Sequence, residues 1–242
     1  MTGGTEEMKS RQLHLWKNRH LSFYYEGFDI PDLDIELDNM CLLVIDIQNT
    51  QYFSKKNSEQ VGNKQNRWSP FINRMNSTVI PNTKKIINYL RLKNVPIIFA
   101  RVGFLTTDGS DRSLSQKRTG FNQTKLNANE FQSQVLNELE PSKNDIILTK
   151  SCDSAVIGTN LRLILNNMGI KTVIVCGIYT DQCVSSTVRD LADESFNVIL
   201  IEDACAAGTD EIHNHELMVI NNIYCQVLNL QELIKILSNL SK

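Results

Sequence analysis

Hydrophobic positions along the chain fall into short continuous runs separated by segments of helical period. Cys41-Leu42-Leu43-Val44-Ile45, Val95 to Ala100, Asp145 to Thr149, Thr172 to Cys176, Asn197 to Ile201 and Ile223 to Val227 each read as a strand. Runs so apolar suit strands covered on both faces. Between them, apolar residues recur three and four positions apart. Val79, Ile86, Ile87 and Leu90 mark a helix over 78–94, with Pro81 tolerated near its start, and Leu161, Ile164, Leu165 and Met168 mark another. Thr159 is placed to cap that second helix and Gly169 to end it. Val184 to Asp193 is periodic as well, Thr209-Asp210-Glu211 opens a further helix with acids in its first turn, and Gln231 to Leu240 forms the last. Glu130 to Leu139 reads as a weaker helix. Six strands alternating with helices predict an α/β fold: one three-layer, doubly wound domain around a six-stranded parallel sheet.

Some stretches escape this alternation. Residues 1–39 have no clear period, carry Trp16, Phe23, Tyr24, Tyr25 and Phe28, and form an N-terminal arm ahead of a domain spanning 40–242. The arm is expected to pack its aromatics on the domain or on a neighbouring subunit, with a lid over the site as the alternative. Gln51 to Pro70 is polar, and Gly103 to Asn127 is rich in Thr, Ser, Asp, Gly and Asn. Both read as loops, and loops of that length tend to be functional.

Composition narrows the function classes. The 242 residues carry a formal net charge of −2 and no basic stripe, which argues against nucleic acid as a partner. No apolar run approaches the ~20 residues of a membrane span, and the polar first 19 residues lack the apolar centre of a signal peptide. Six cysteines at irregular spacing, with no C-x-x-C pair, resemble neither a disulfide framework nor a zinc site. The expectation is a cytoplasmic protein.

Ligands of open parallel sheets bind beyond the carboxyl ends of the strands. Three of those ends carry reactive groups: Asp46 after the first strand, Lys150 after the third, and Cys183 just past the fourth. Cys183 stands where strand and tight turn lead into a helix. Unpaired N–H groups and the positive end of the helix dipole favour a thiolate there and can hold an oxyanion. Taken singly, Asp46 caps a turn, Lys150 is a solvated strand end and Cys183 fills space. Together they supply a nucleophile, a base for its proton and a cation that helps ionise both.

Leu43-Val44-Ile45-Asp46-Ile47-Gln48-Asn49, Ile147-Leu148-Thr149-Lys150 and Val175-Cys176-Gly177-Ile178-Tyr179-Thr180-Asp181-Gln182-Cys183-Val184 resemble the three signatures of the isochorismatase-like cysteine hydrolases. The resemblance runs from about Met40 to Val227. It implies a catalytic triad of Asp46, Lys150 and Cys183, a non-proline cis peptide at Ile178–Tyr179, and an oxyanion hole made by the amide N–H groups of Tyr179 and Cys183. It also implies the strand order 3-2-1-4-5-6, in which strand two lies between the ends bearing Asp46 and Lys150. Sheet twist and the lysine stem must then close a gap of roughly 10 Å.

Ether-cleaving isochorismatases lack the cysteine, so Cys183 points to the amide-cleaving branch. Nicotinamidases build a metal site on Asp-x-His after strand two, where this chain has Arg101-Val102-Gly103. His213 and His215 are two apart and fall on different faces of a helix. No metal and no other cofactor is expected. The branch that remains contains N-carbamoylsarcosine amidase, biuret hydrolase and ureidoacrylate hydrolase. The implied activity is hydrolysis of a small amide, carbamoyl or ureido compound through a thioester, releasing ammonia, by a protein that associates into homo-oligomers.

Candidate substrate contacts are Gln48 and Asn49, which can hydrogen-bond an amide, and Arg101, which can clamp a carboxylate. Tyr179 and Ser154 complete the set, although Val156 stands where the family often has Phe. Cys152 is either a rival thiol or a structural one. Asp203 is expected to tie down its loop, and Arg189-Asp190 to pair within their helix. An inactive binding protein on the same fold and an ether hydrolase that keeps its cysteine remain as alternatives.

Overall fold

The computed structural model describes residues 15–49, 67–118 and 125–240. Most of the Gln51 to Pro70 stretch, and residues 119–124 of the later loop, lie outside them. Strands β1 (Met40–Ile45), β2 (Ile97–Val102), β3 (Ile146–Lys150), β4 (Thr172–Ile178), β5 (Asn197–Ala206) and β6 (Gln226–Leu228) form one sheet, ordered β3-β2-β1-β4-β5-β6. Every pairing is parallel. All residues of β1 and β4 are buried, which is why both read as unbroken apolar runs. Helices α1 (Ile80–Arg91), α2 (Leu161–Asn167), α3 (Ser185–Asp193), α4 (Asp210–Ile220) and α5 (Leu230–Leu240) supply the outer layers. The α/β, doubly wound reading holds. No helix among the described residues is long and apolar enough to cross a membrane.

Local chemistry explains the boundaries. Thr209 caps α4 through the N–H of Ile212, and Gly169 adopts a φ of +67° past the end of α2. Thr159 accepts the Leu161 N–H at 2.9 Å. The helix expected over 78–94 starts earlier. It runs from Ser69–Arg74 through a wide turn, Met75–Val79, into α1, with the Ile80 N–H reaching back to the Met75 carbonyl. The widened turn lets the helix continue into Pro81, which has no N–H to give.

Three sequence expectations need correction. Residues 130–139 form two tight turns, Phe131–Ser133 and Asn137–Leu139, and no α-helix. The residues between them are extended, because they bond the loop after β1: Leu136 N–H to the Ile47 carbonyl at 2.9 Å, and Asn49 N–H to Gln134 at 3.1 Å. β5 extends past Ile201 through Glu202 and Asp203, across a register shift between Val175 and Gly177 on β4. Those acids are tolerated in a strand because each finds a partner. Glu202 pairs with Arg19 at 2.7 Å and His20 at 2.6 Å, and Asp203 accepts the Leu230 N–H that opens α5. Arg189 pairs with Glu216 of α4 at 2.9 Å and not with Asp190.

Part of the arm joins the core. Trp16, Ile30 and Ile35 are buried, while Phe23, Tyr24 and Phe28 are exposed.

Four cysteines, Cys41, Cys176, Cys205 and Cys225, are buried in the core, and burial pushes each thiol up, Cys41 and Cys176 to about 12. The folded state thus keeps protons that the unfolded chain releases near ordinary thiol values. The stability so contributed is complete below about pH 8.5 and is lost as pH rises toward about 12, at about 1.4 kcal/mol per pH unit for each thiol. Urea unfolding is expected at a clearly lower midpoint near pH 10 than near pH 8. Equal midpoints would contradict the burial of these thiols.

Candidate active site

The carboxyl ends of β1, β3 and β4 bring the three reactive groups together. Asp46 turns off β1 with φ +54°, a left-handed conformation uncommon for a residue with a side chain. Its carboxylate is buried, and Lys150 Nζ lies 2.7 Å from Oδ2. Lys150 is the last residue of β3 and has no exposed surface. Its stem crosses the end of β2, closing the expected gap. The same ammonium donates to the Cys152 carbonyl at 3.1 Å and lies 3.3 Å from Cys183 Sγ. Asp46 Oδ1 is buried without a hydrogen-bond partner, while the Cys183 thiol and the Val102 amide both act on the carboxylate.

Cys183 sits in a wide turn, Thr180–Val184, that leads into α3, one element earlier than the helical turn expected for it. Gln182 and Val184 donate to the Tyr179 carbonyl at 3.0 and 3.2 Å, closing the turn over a cis Ile178–Tyr179 peptide. Thr187 Oγ1 donates to the Cys183 carbonyl at 2.7 Å and accepts the Ala155 N–H at 3.0 Å. The cysteine turn is thereby joined to the loop that follows Lys150.

Electrostatics differ from the sequence expectation of a thiolate. Burial pushes the Cys183 thiol well up, the Asp46 charge adds to this, and the Lys150 cation only partly offsets them. Burial also raises Asp46 against the opposing pull of Lys150. For Lys150, burial works against the charge, but Asp46 and Cys183 outweigh it and the ammonium is held. Burial thus favours the protonated thiol and raises the proton affinity of the carboxylate, while the cation touching both is held charged.

Of the other residues singled out from sequence, Tyr179 faces open space. It lines a cleft of about 320 Å³ with Trp68, Asp181, Gln182, Thr209 and Ile212. Its ring packs on Phe71 and Trp68, with centroids 5.1 and 6.1 Å away. Gln48 is buried, donating to the carbonyls of Val102 and Ser133 at 2.9 Å each and accepting the Val102 N–H at 2.9 Å. Asn49 donates to the Phe131 carbonyl at 2.9 Å. Both pin the loop after β1, with Asn49 Oδ1 left buried and without a hydrogen-bond partner. Ser154 Oγ accepts the N–H groups of Val156 and Ile157 and caps its own turn.

Arg101 lies on the opposite face of the sheet from Lys150. It is paired in register with Thr149, whereas Lys150 is paired with Val102, and alternation places the two cations on opposite faces. Its guanidinium bonds Thr149 Oγ1 at 3.1 Å and the Gln134 side chain. Cys152 donates its thiol to the Ser154 carbonyl at 3.4 Å, and its own carbonyl holds Lys150.

Trp68, Phe71 and His213 had not been read as part of the site. Trp68 hid in a polar stretch, and no local period marks a histidine that acts from a neighbouring helix. His213 lies between Thr180 Oγ1, 2.7 Å from Nδ1, and Arg74 Nη2, 2.8 Å from Nε2.

Comparison with known proteins places this geometry. The chain is 37% identical over 102 residues to an uncharacterized isochorismatase family protein, YecD, of Escherichia coli O157:H7, covering 42% of this chain and 53% of YecD. It is 26% identical to the N-carbamoylsarcosine amidase of an Arthrobacter species over 67% of this chain and 62% of that one. A protein of Arabidopsis thaliana named as a probable inactive nicotinamidase is also 26% identical, over 80% of this chain and 94% of its own. Among solved structures, a cysteine hydrolase from Pseudomonas syringae pv. phaseolicola superposes with a TM-score of 0.72 at 20% identity, covering 88% of this chain and 99% of that one, and so shares the fold. Residues 40–232 match the isochorismatase domain, so that the chain belongs to the isochorismatase family of hydrolases.

Proposed function

We propose that this protein is a cysteine amidohydrolase that cleaves a C–N bond of a small non-peptide amide, carbamoyl or ureido compound through a thioester on Cys183. One observation carries the reading: a single buried ammonium lies within 2.7 Å of a carboxylate and 3.3 Å of a thiol. The amidase among its relatives supports the same class of reaction.

In the proposed cycle, Asp46 takes the Cys183 proton as the sulfur attacks the substrate carbonyl. A thiol whose proton affinity is raised transfers that proton during attack and not before it. The S–C bond forms, and the oxyanion rests on the amide N–H groups of Tyr179 and Cys183. Asp46 then returns its proton to the nitrogen, the C–N bond breaks, and ammonia or an amine departs. Water attacks the thioester, giving a proton to Asp46. The C–S bond breaks, and that proton restores the thiol. Lys150 keeps its charge throughout and holds the carboxylate against the sulfur.

Ammonia release from N-carbamoylsarcosine, ureidoacrylate, biuret and nicotinamide tests the reading. Turnover of at least one by the wild-type chain, and of none by Cys183→Ser, is the expected result. The alternative of a binding protein draws on the Arabidopsis relative. It would be favoured if iodoacetamide labels Cys183 but no compound is hydrolysed.

A further inference from the structure

The turn that carries Tyr179 and Cys183 is held from one side by ring packing and from the other by a buried chain of hydrogen bonds. The helix Ser69–Arg74 supplies both holds. Its Phe71 ring meets the Tyr179 ring, and its Arg74 reaches His213, which reaches Thr180 at the head of the turn. Arg74 is itself fixed by the carbonyls of Cys205 at 2.9 Å and Glu202 at 3.0 Å, and by Asp210 at 3.1 Å. Thr180 and His213 are both buried.

The proton positions follow from what each group can do. Arginine only donates, so His213 Nε2 must accept from Arg74. A second proton on the ring would point at the guanidinium. Burial and the Arg74 charge keep His213 neutral, with its pKa lowered to about 3. Its one proton is therefore on Nδ1, and the ring donates to Thr180 Oγ1.

We propose that His213 is a positioning residue for the oxyanion-binding turn: through its Nδ1–H it fixes the Thr180 hydroxyl, and with it the backbone that aims the amides of Tyr179 and Cys183. The inference rests on the function proposed above. It adds that the aim of those amides is set from β5 and α4 by way of Arg74, since a donor displaced by a fraction of an ångström loses much of its effect on a developing charge.

Asparagine and glutamine separate the two ends of the ring. Asn places its amide N–H₂ near the position of Nδ1, whereas Gln extends toward that of Nε2. The probe is p-nitrophenyl acetate, whose acyl transfer to Cys183 appears as a burst of nitrophenolate. Alkylation of Cys183 by iodoacetamide serves as the control, because displacement of iodide forms no oxyanion. His213→Asn should keep the burst rate within about threefold, while His213→Gln and His213→Ala should slow it by about tenfold to a hundredfold. Alkylation rates should stay the same in all three. Thr180→Val should match the Gln variant.

Asn and Gln variants that slow together, or a slowing of alkylation in step with the burst, would assign His213 to packing alone and overturn the inference. The Asn and Gln pair still decides if the Ala variant fails to fold. A wild-type chain that shows no burst would remove the acyl-enzyme reading beneath it. A normal wild-type burst that no His213 variant alters would remove only the inference.

Discussion

Cys183→Ala should lower kcat for any hydrolysed amide by about 10⁴-fold or more, with the thermal midpoint within a few degrees of wild type. The size follows from the role. Asp46 and Lys150 have no nucleophile of their own to offer, and without the sulfur they can only orient a water molecule in a space shaped for a covalent bond. The modest structural cost follows from the location. Cys183 is partly buried and packs at the edge of the core, so truncation removes little packing. An enzyme that cleaves an ether or an amide without the thiol would keep most of its rate, which makes the measurement decisive between the readings.

Gly177→Ala should destabilise the fold by more than about 4 kcal/mol, enough to lower the urea midpoint by more than about 1 M. Gly177 has φ +133°, a region closed to ordinary side chains, and a Cβ there would land on the backbone of Ile45, at its carbonyl carbon and oxygen and its nitrogen. No side-chain rearrangement relieves a clash with backbone. The position is also the register partner of Ile45, the residue immediately before Asp46. Close approach of β1 and β4 at this point is what sets the carboxylate near the cysteine turn. A variant as stable as wild type would mean the two strands are farther apart than described.

The sheet was legible because its strands are apolar runs that stop at polar residues, and two of those stops, Asp46 and Lys150, converge with Cys183. Asp46 follows directly on the buried β1, and Lys150 is the last residue of β3. Fold class and convergence of reactive groups thus followed from one pattern. Local chemistry misled where partners come from distant segments. Gln48, Asn49 and Ser154 look available in sequence, yet each is tied to backbone amides or carbonyls that only the folded chain supplies. That Arg101 lies on the face opposite Lys150 follows from the strand register, which the sequence does not reveal. Glu202 and Asp203 ended β5 too early in the sequence reading because their ion pair and backbone partners lie on the arm and on α5. The proton affinity of Cys183 depends on how deeply the fold buries it, which no motif encodes.

Lys150 belongs to β3, and β3 lies at the margin of the sheet, paired on one side to β2 through five register partners, with Ile147 45% exposed. The ammonium that holds Asp46 and Cys183 is therefore delivered by one of the two border strands, which has a single strand neighbour. Fraying of that border strand would withdraw the cation while β1, β4 and β5 stayed intact. If the proposed cycle holds, activity is thus a finer gauge of whether this border strand is seated than any signal from the interior.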